Sequence, residues 1–294
     1  MDRAARSRSF VPERGGVQVT IHPLNERFTW TPARAPFRRL TAEQARRWND
    51  DGFFVLEDAL DAETVRALVH EIDPYETEAE AVLRARPDGR WFIARAGEIT
   101  FSVHLVVRSA LLRAFCGSAL FRDLARDVIG PDVRLYWDQA VYKKPETPAD
   151  FPWHQDNGYT FVEPQQYLTC WIALTDATEA NGCPWVVPGL HRLGTLRHWM
   201  TDLGWRCLDA PTGAVAVPVR AGGIVVFSSL TPHRTGPNRT DRVRKAYIVQ
   251  FAPDGARTVS VREDGARDLV ACDQPDRQFA ILRDGRSVIA PAAG

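Results

Sequence analysis

A histidine and an aspartate two positions apart are the residues of this chain best suited by type and spacing to bind a metal ion. They are His154 and Asp156, in the run Phe-Pro-Trp-His-Gln-Asp-Asn-Gly-Tyr at 151–159. In an extended strand, residues two apart point to the same side, whereas on a helix they would diverge by roughly 200°. In an extended segment, His154 and Asp156 can therefore reach one ion together.

A third candidate ligand, His233, lies much further along the chain, between Pro232 and Arg234. Two imidazoles and one carboxylate on one side of an ion leave coordination positions open, as in non-haem Fe(II) oxygenases. The alternative is structural, with Asn157-Gly158 as a hairpin turn, His154 as a half-buried strand residue and His233 as a loop residue without a task. The other histidines lack a comparable setting, and they are His22, His70, His104, His191 and His198.

Arg244 opens an apolar run, Arg-Lys-Ala-Tyr-Ile-Val-Gln-Phe at 244–251. Both alternating faces of this predicted strand look covered, so an arginine on it would point into the interior. An unpaired buried charge is very costly, and the planar guanidinium suits a carboxylate. The pattern predicts an anion beside Arg244, either a ligand or a structural Asp or Glu.

The composition indicates a folded domain without a polyanionic partner. The 294 residues are 45% hydrophobic and 10% aromatic, and 37 basic residues balance 37 acidic ones. This balance argues against nucleic acid or an anionic membrane surface as the main partner. No apolar run approaches the roughly 18 residues of a membrane span. Five cysteines without a Cys-x-x-Cys pair predict reduced thiols, and we expect a cytoplasmic protein.

The first part of the chain predicts an arm followed by helices. Residues 1–38 are rich in proline and predict an extended arm, and residues 39–130 predict a helical front part. Thr41-Ala-Glu-Gln44 is a capping-box pattern that starts a helix, and Asp61 can cap a second one.

The second part predicts β-structure, because short apolar runs alternate with Gly- and Pro-containing turns. We expect a mainly β fold with flanking α-helices, whose core at 131–255 is a double-stranded β-helix (a cupin-like jelly roll). Residues 256–294 would form a C-terminal extension, and 39–294 one domain. The runs that predict strands are 133–142, 167–174, 183–187, 214–219, 224–227 and 245–251.

In this order, these segments resemble the phytanoyl-CoA dioxygenase family of Fe(II)- and 2-oxoglutarate-dependent oxygenases. The resemblance covers most of residues 40–251, and the ordered set is more specific than any one piece. The matching stretches are Leu-Thr-Ala-Glu-Gln at 40–44, Asp-Gly-Phe-Phe-Val-Leu at 51–56, Trp-His-Gln-Asp at 153–156, Trp-Ile-Ala-Leu-Thr-Asp at 171–176, 181–191 and 233–244.

The resemblance implies Fe(II), 2-oxoglutarate and O2 as cofactor and cosubstrates. It implies His154, Asp156 and His233 as iron ligands and Arg244 as the residue that binds the distal carboxylate of 2-oxoglutarate. Related halogenases replace the aspartate with a small residue, so Asp156 favours hydroxylation. Pro-Gly-Leu-His at 188–191 departs from the usual Pro-Gly-Ser-His and affects only the local loop. Further cosubstrate contacts implied by the resemblance are Thr235, Trp171 and Gln139.

The substrate is a small molecule that the sequence does not identify. Asn157, Tyr159 and Phe161 directly follow the predicted ligands and would border it, and aromatic walls suggest a mid-sized, partly apolar compound such as a bacterial secondary metabolite. Residues 193–211 would form a lid or a helical insertion on the rim of the barrel. The sequence does not indicate an oligomeric state.

Alternatives to hydroxylation stay open. Desaturation, epoxidation, cyclisation and epimerisation would use the same site. A non-catalytic jelly-roll binding protein, or a zinc hydrolase with the same three ligands, belongs to another class. The hydrolase leaves Arg244 unexplained, and a binding protein would be expected to have lost a ligand or this arginine.

Overall fold

The computed structural model describes residues 19–289, in which two antiparallel β-sheets face each other and helices cover the larger sheet. The helices are α1 (Ala42–Asp51), α2 (Ala62–Arg84), α3 (Ala110–Cys116) and α4 (Ala119–Val128). The first strands are β1 (Phe53–Leu56), β2 (Arg90–Trp91), β3 (Ala94–Arg95), β4 (Ile99–Val103), β5 (Val133–Lys143), β6 (Phe151–His154), β7 (Val162–Glu163), β8 (Leu168–Ala173) and β9 (Pro184–Val186). The remaining strands are β10 (Trp199–Thr201), β11 (Gly204–Arg206), β12 (Val215–Ala216), β13 (Ile224–Ser228), β14 (His233–Thr235), β15 (Arg244–Pro253), β16 (Arg257–Val261), β17 (Arg267–Ala271), β18 (Ala280–Arg283) and β19 (Arg286–Ser287).

The larger sheet runs in the order β1-β13-β8-β15-β5-β4-β3-β2, with β18 paired to the start of β5 and β19 to β18. The smaller sheet runs β12-β9-β14-β6. A three-stranded sheet, β17-β16-β7, and the β10–β11 hairpin complete the described strands. Two sheets packed face to face confirm the predicted jelly-roll core.

Strand β15 shows how alternation divides the core into two layers. Ala246 and Ile248 point between the sheets, where they join a cluster with Val186 of the smaller sheet. Tyr247 and Phe251 point outwards and join the cluster that contains the helices. Each large apolar side chain buried in this way contributes roughly 1.5–3 kcal/mol. The side of each sheet that points towards the other sheet is hereafter called the inner face. The polar residues described below lie on it.

The two predicted helix starts are confirmed. The Thr41 hydroxyl accepts from the Gln44 backbone N–H, and the Gln44 side chain accepts from the Thr41 backbone N–H. Asp61 accepts from the backbone N–H of Thr64 at 2.7 Å and caps α2. Helix α1 ends at Gly52, whose φ of 82° suits glycine.

Residues 19–38 lie along the body as an extended segment, with one isolated bridge between Ile21 and Leu196. The Asp127 carboxylate of α4 fixes the end of this segment, because it accepts hydrogen bonds from the backbone N–H groups of Arg38, Arg39 and Leu40. The first part of the predicted arm, residues 1–18, lies outside the described residues.

The sheets do not follow the predicted internal boundaries at 131 and 255. Strands β1 to β4 come from the front part at 39–130, and β18 comes from the extension at 256–294, yet all of them join the larger sheet. The assignment of 39–294 to one domain stays a prediction. Residues 193–211 contain the β10–β11 hairpin, so the helical alternative for this segment is wrong, and the lid stays a prediction.

All five cysteines fall within the described residues, where they are buried and form no disulfide. In the same part of the chain, no helix combines the length and apolar character needed to cross a bilayer.

Candidate metal centre

Two neighbouring strands of the smaller sheet bring the predicted histidines together. β14 pairs antiparallel with β6 in a register that sets His233 opposite His154. Directly opposed residues project from the same side of a sheet. The two imidazole rings accordingly lie with their centroids 4.1 Å apart, and both side chains are buried.

Asp156 reaches the two histidines from the turn that follows β6. The strand ends at His154, but Gln155 remains extended, with φ −109° and ψ 144°. The two-residue spacing therefore still brings Asp156 back to the side of His154. Its Oδ1 lies 3.7 Å from His233 Nε2 and 4.0 Å from His154 Nε2. One candidate ligand atom from each residue lies within 4.8 Å of the others.

Backbone carbonyls orient both imidazoles towards the centre of this cluster. His154 Nδ1 donates to Pro152 O at 2.8 Å, and His233 Nδ1 donates to Thr231 O at 2.9 Å. This arrangement leaves the lone pair of each Nε2 facing Asp156. Burial lowers the pKa of His154 to about 3 and the pKa of His233 to about 4. Both rings are therefore neutral at pH 7, as metal ligands must be.

The Asp156 carboxylate uses its two oxygens differently. Oδ1 faces the histidines, whereas Oδ2 accepts a hydrogen bond of 2.5 Å from the Thr169 hydroxyl. Burial raises the pKa of Asp156, because a carboxylate loses hydration between the sheets. A bound cation would offset this cost. Two imidazole nitrogens and one carboxylate oxygen suit a divalent transition metal and leave positions for other ligands.

Arg244 is fully buried on the inner face and has no acidic partner among residues 19–289. Its Nη1 donates to Val141 O at 3.3 Å, while Nε and Nη2 have no hydrogen-bond partner in the described structure. Its guanidinium carbon lies 5.2 Å from the Trp171 ring centre. Burial lowers the pKa of Arg244 to about 10, so the group is still charged at pH 7. The predicted alternative, a structural Asp or Glu partner, is absent from this part of the chain.

The other predicted cosubstrate residues, Trp171, Thr235 and Gln139, differ in whether they contact Arg244. Trp171 contacts it directly. Thr235 follows His233 by two residues on β14, and its carbonyl lies 3.5 Å from the Nζ of Lys143, the cross-strand neighbour of Arg244. Gln139 lies further along β5, opposite Ile248, where its side-chain oxygen accepts from the Trp137 indole.

Lys143 is a buried cation that sequence reasoning missed. Its register sets it opposite Arg244, and its Nζ donates to Gly236 O at 2.5 Å and to Ala149 O at 3.3 Å. Burial, followed by the charge of Arg244, lowers the pKa of Lys143 to about 7. No local motif marks this lysine, since only the strand register brings it to the site.

Tyr159 is the predicted substrate neighbour that contacts a candidate ligand. Its ring lies edge-on to the His154 imidazole, with 5.2 Å between centroids. Phe92, at the tip of the β2–β3 turn, lies edge-on to Tyr159 at 6.3 Å and is 59% exposed. The Arg95 side chain donates to Asp202 O of the β10–β11 hairpin, so this hairpin and the β2–β3 turn meet beside Tyr159. Sequence reasoning missed the β2–β3 segment.

Asn157 and Phe161 make other contacts. The Asn157 amide donates to Thr195 Oγ1 at 2.7 Å and its carbonyl accepts from Val162 N at 2.9 Å, so both groups hold the turn after β6. Phe161 stacks on His22 of the N-terminal segment at 4.8 Å. A direct substrate contact by either residue stays a prediction.

The chain is similar to known proteins both in sequence and in structure. A family model described as phytanoyl-CoA dioxygenase (PhyH) matches residues 48–246, a range that includes the cluster and Arg244. Phytanoyl-CoA dioxygenase domain-containing protein 1 of Bos taurus is 25% identical, over 71% of this chain and 88% of its own. Methylphosphonate hydroxylase of Gimesia maris is 28% identical, over 72% of this chain and 80% of its own. The crystal structure of EvdO2 from Micromonospora carbonacea var. aurantiaca, complexed with 2-oxoglutarate, superposes with a TM-score of 0.59 at 27% identity, covering 82% of this chain and 97% of EvdO2.

Proposed function

Since the chain belongs to the phytanoyl-CoA dioxygenase family of iron- and 2-oxoglutarate-dependent oxygenases, we propose that it hydroxylates a mid-sized, partly apolar organic molecule and releases succinate and CO2. His154, Asp156 and His233 hold Fe(II), and Arg244 binds the distal carboxylate of 2-oxoglutarate. The observation that carries this proposal is a buried arginine that has no acidic partner among residues 19–289 and lies between the same two sheets as the three donors.

The donor set fits iron. Both imidazoles are neutral at pH 7 and present Nε2, and one carboxylate oxygen faces them. Because Asp156 is the one charged ligand, Fe(II) bound here would keep a net positive charge and attract an anionic cosubstrate. When bound, Fe(II) and 2-oxoglutarate together activate O2 and supply the oxidising power for cleavage of a substrate C–H bond. The protein orients these groups and excludes water from them.

The surroundings of Arg244 fit 2-oxoglutarate. The guanidinium offers two donors in a planar fork, which matches a carboxylate. The Trp171 ring packs against the guanidinium, and Thr235 follows the candidate iron ligand His233 by two residues on β14. In this proposal Gln139 borders the 2-oxoglutarate site, and its side-chain oxygen accepts a hydrogen bond from the Trp137 indole.

The substrate side is proposed from the aromatic side chains around Tyr159. Tyr159 contacts the His154 ring, and Phe92, which lies edge-on to Tyr159, is exposed. These rings suit a compound with apolar or aromatic parts. The β10–β11 hairpin, within the predicted lid at 193–211, would cover it. We place the reaction in bacterial secondary metabolism, and desaturation, epoxidation, cyclisation or epimerisation would use the same residues.

A non-catalytic binding protein is the competing proposal. Such a protein would not require a complete donor set, neutral imidazoles and an unpaired arginine in one interior. Retention of all four residues favours turnover.

The test measures succinate formed from 2-oxoglutarate in the presence of Fe(II), O2 and a bacterial metabolite extract. We expect the extract to stimulate succinate formation by the native protein, and Asp156→Ala to abolish it while far- and near-UV circular dichroism remain unchanged. Asp150→Ala is the matched control, since it removes a nearby carboxylate that pairs with Arg234 instead. Succinate formation by Asp156→Ala at the native rate would contradict the ligand assignment.

A further inference from the structure

We propose that Thr169, supported by Gln250, positions Asp156 so that a single carboxylate oxygen faces the metal. Neither residue contacts the ion in this proposal, and both act through Asp156. The proposal rests on the proposed function, because it requires Asp156 to be a metal ligand. Its test is therefore a metal-binding measurement in which the two proposals fail in different ways.

The hydrogen bonds around Asp156 have a definite direction. The Thr169 hydroxyl lies 2.5 Å from Asp156 Oδ2, and the Gln250 side-chain nitrogen lies 3.3 Å from the Thr169 oxygen. An ionised carboxylate only accepts hydrogen bonds, so the single hydroxyl proton of Thr169 must point to Asp156. The Thr169 oxygen can then accept only, and the Gln250 amide is the donor that satisfies it.

This chain of hydrogen bonds joins the two sheets. Thr169 on β8 and Gln250 on β15 are opposite each other in the larger sheet. Asp156, in contrast, follows a strand of the smaller sheet. The Thr169 hydroxyl is fully buried, and Gln250 is 6% exposed, so water competes little for these bonds. The contact therefore fixes the turn that carries Asp156 against the opposite sheet.

The consequence lies in the orientation of the carboxylate. With Oδ2 engaged, Oδ1 is the oxygen that lies 3.7 Å from His233 Nε2 and 4.0 Å from His154 Nε2. A carboxylate free to rotate could bind an ion through both oxygens and occupy a second coordination position. Thr169 thus keeps Asp156 monodentate and leaves that position for the cosubstrate, O2 or water. Loss of such an outer partner typically weakens metal affinity by about 10- to 100-fold.

The experiment measures Co(II) binding, by anaerobic titration calorimetry and by the visible absorption bands of the bound ion, which report its coordination. Thr169→Val keeps the β-branched shape and removes only the hydroxyl. We expect it to weaken Co(II) binding by about 10- to 100-fold and to change the absorption bands. Thr169→Ser restores the hydroxyl, and we expect affinity within about threefold of the native protein and native bands.

Two further variants separate this positioning role from a structural one. Thr100 is also fully buried, and its hydroxyl donates to Glu76 at 2.9 Å, away from the metal cluster. Thr100→Val therefore removes an equivalent bond and should leave Co(II) affinity and spectrum unchanged. Gln250→Leu should weaken Co(II) binding less than Thr169→Val does, and should have no added effect once Thr169 is valine.

The outcomes distinguish the proposals. Native affinity and native bands for Thr169→Val would overturn the positioning role and leave the metal site intact. Failure of Thr169→Ser to restore the bands, or an equal effect of Thr100→Val, would also overturn it. If the native protein itself does not bind Co(II), the ligand assignment fails instead. Should the valine variant not fold, Thr169→Ala carries the same expectation.

Discussion

Arg244→Met should separate cosubstrate binding from stability, because it replaces a buried cation, which has no acidic partner in the described part of the chain, with an apolar side chain of similar length. Arg244 is fully buried, and its protein partners are one carbonyl and the face of Trp171. In the absence of 2-oxoglutarate, its charge is thus largely uncompensated. Replacing buried ionic groups with apolar ones is often stabilising by about 1–4 kcal/mol, and the lost carbonyl bond offsets about 1 kcal/mol. We expect the ligand-free variant to gain roughly 1–3 kcal/mol in its free energy of unfolding.

Binding of 2-oxoglutarate should change in the opposite direction. Nε and Nη2 are free to donate two charge-assisted hydrogen bonds to a carboxylate, each of which contributes about 1.5–3 kcal/mol. A loss of about 3–5 kcal/mol corresponds to a dissociation constant that is roughly 150- to 4,000-fold higher. The KM for 2-oxoglutarate should therefore rise far more than the KM for the substrate.

The assay is urea unfolding with and without 2-oxoglutarate, together with titration calorimetry in the presence of a redox-inert divalent metal. Arg134 provides the matched control, because it is also buried (7% exposed) but pairs with Asp254 and donates to Cys272 O and Gln278 O. Arg134→Met should lose roughly 2–4 kcal/mol of stability and retain its affinity for 2-oxoglutarate. Native affinity for 2-oxoglutarate in Arg244→Met, or a loss of stability as large as that of Arg134→Met, would refute the reasoning.

Three other expectations follow from the described contacts. Burial raises the pKa of Asp138 to about 6 from an ordinary 3.8, so the folded state holds an extra proton between these two pH values. The free energy of unfolding should therefore fall by about 3 kcal/mol as the pH rises from about 4 to about 6. Asp138→Asn should flatten this slope in urea titrations from pH 4 to 7. Tyr159→Ala should raise the substrate KM at least tenfold without changing the KM for 2-oxoglutarate, and a change in both would indicate general damage to the site. Asp127→Ala removes the acceptor for three backbone N–H groups, including that of Leu40, and should lower the free energy of unfolding by about 2–3 kcal/mol, measured by thermal unfolding. A loss below about 1 kcal/mol would mean that water replaces the carboxylate as acceptor.

Local chemistry explains what the sequence predicted well. The Thr41 capping box and the Asp61 cap depend on contacts within four residues, and both helices start where these patterns place them. The His154–Asp156 spacing survives the end of β6 because the intervening residue stays extended. The burial of Arg244 was visible in the alternation of its strand, whose two faces are both apolar.

The hydrophobic periodicity of the sequence did not predict contacts between strands that lie far apart in the chain. Alternation tells which residues share a face, but it does not tell which strand is the neighbour or in what register. The pairing of β1 with β13 and of β18 with β5 therefore went unseen, as did the hairpin at 193–211. Phe161 stacks on His22, a residue of the N-terminal segment that no sequence pattern linked to it.

The sequence by itself determined the donor types, the extended spacing of His154 and Asp156, and the need of Arg244 for an anion. These follow from side-chain chemistry and backbone geometry over a few residues. The tertiary structure alone decided that His233 stands opposite His154, that Thr169 donates to the Asp156 carboxylate and that Gln250 donates to Thr169. The physical reason is that sheet register is set by the packing of whole faces, since a slip of one residue would turn every one of these side chains out of the core.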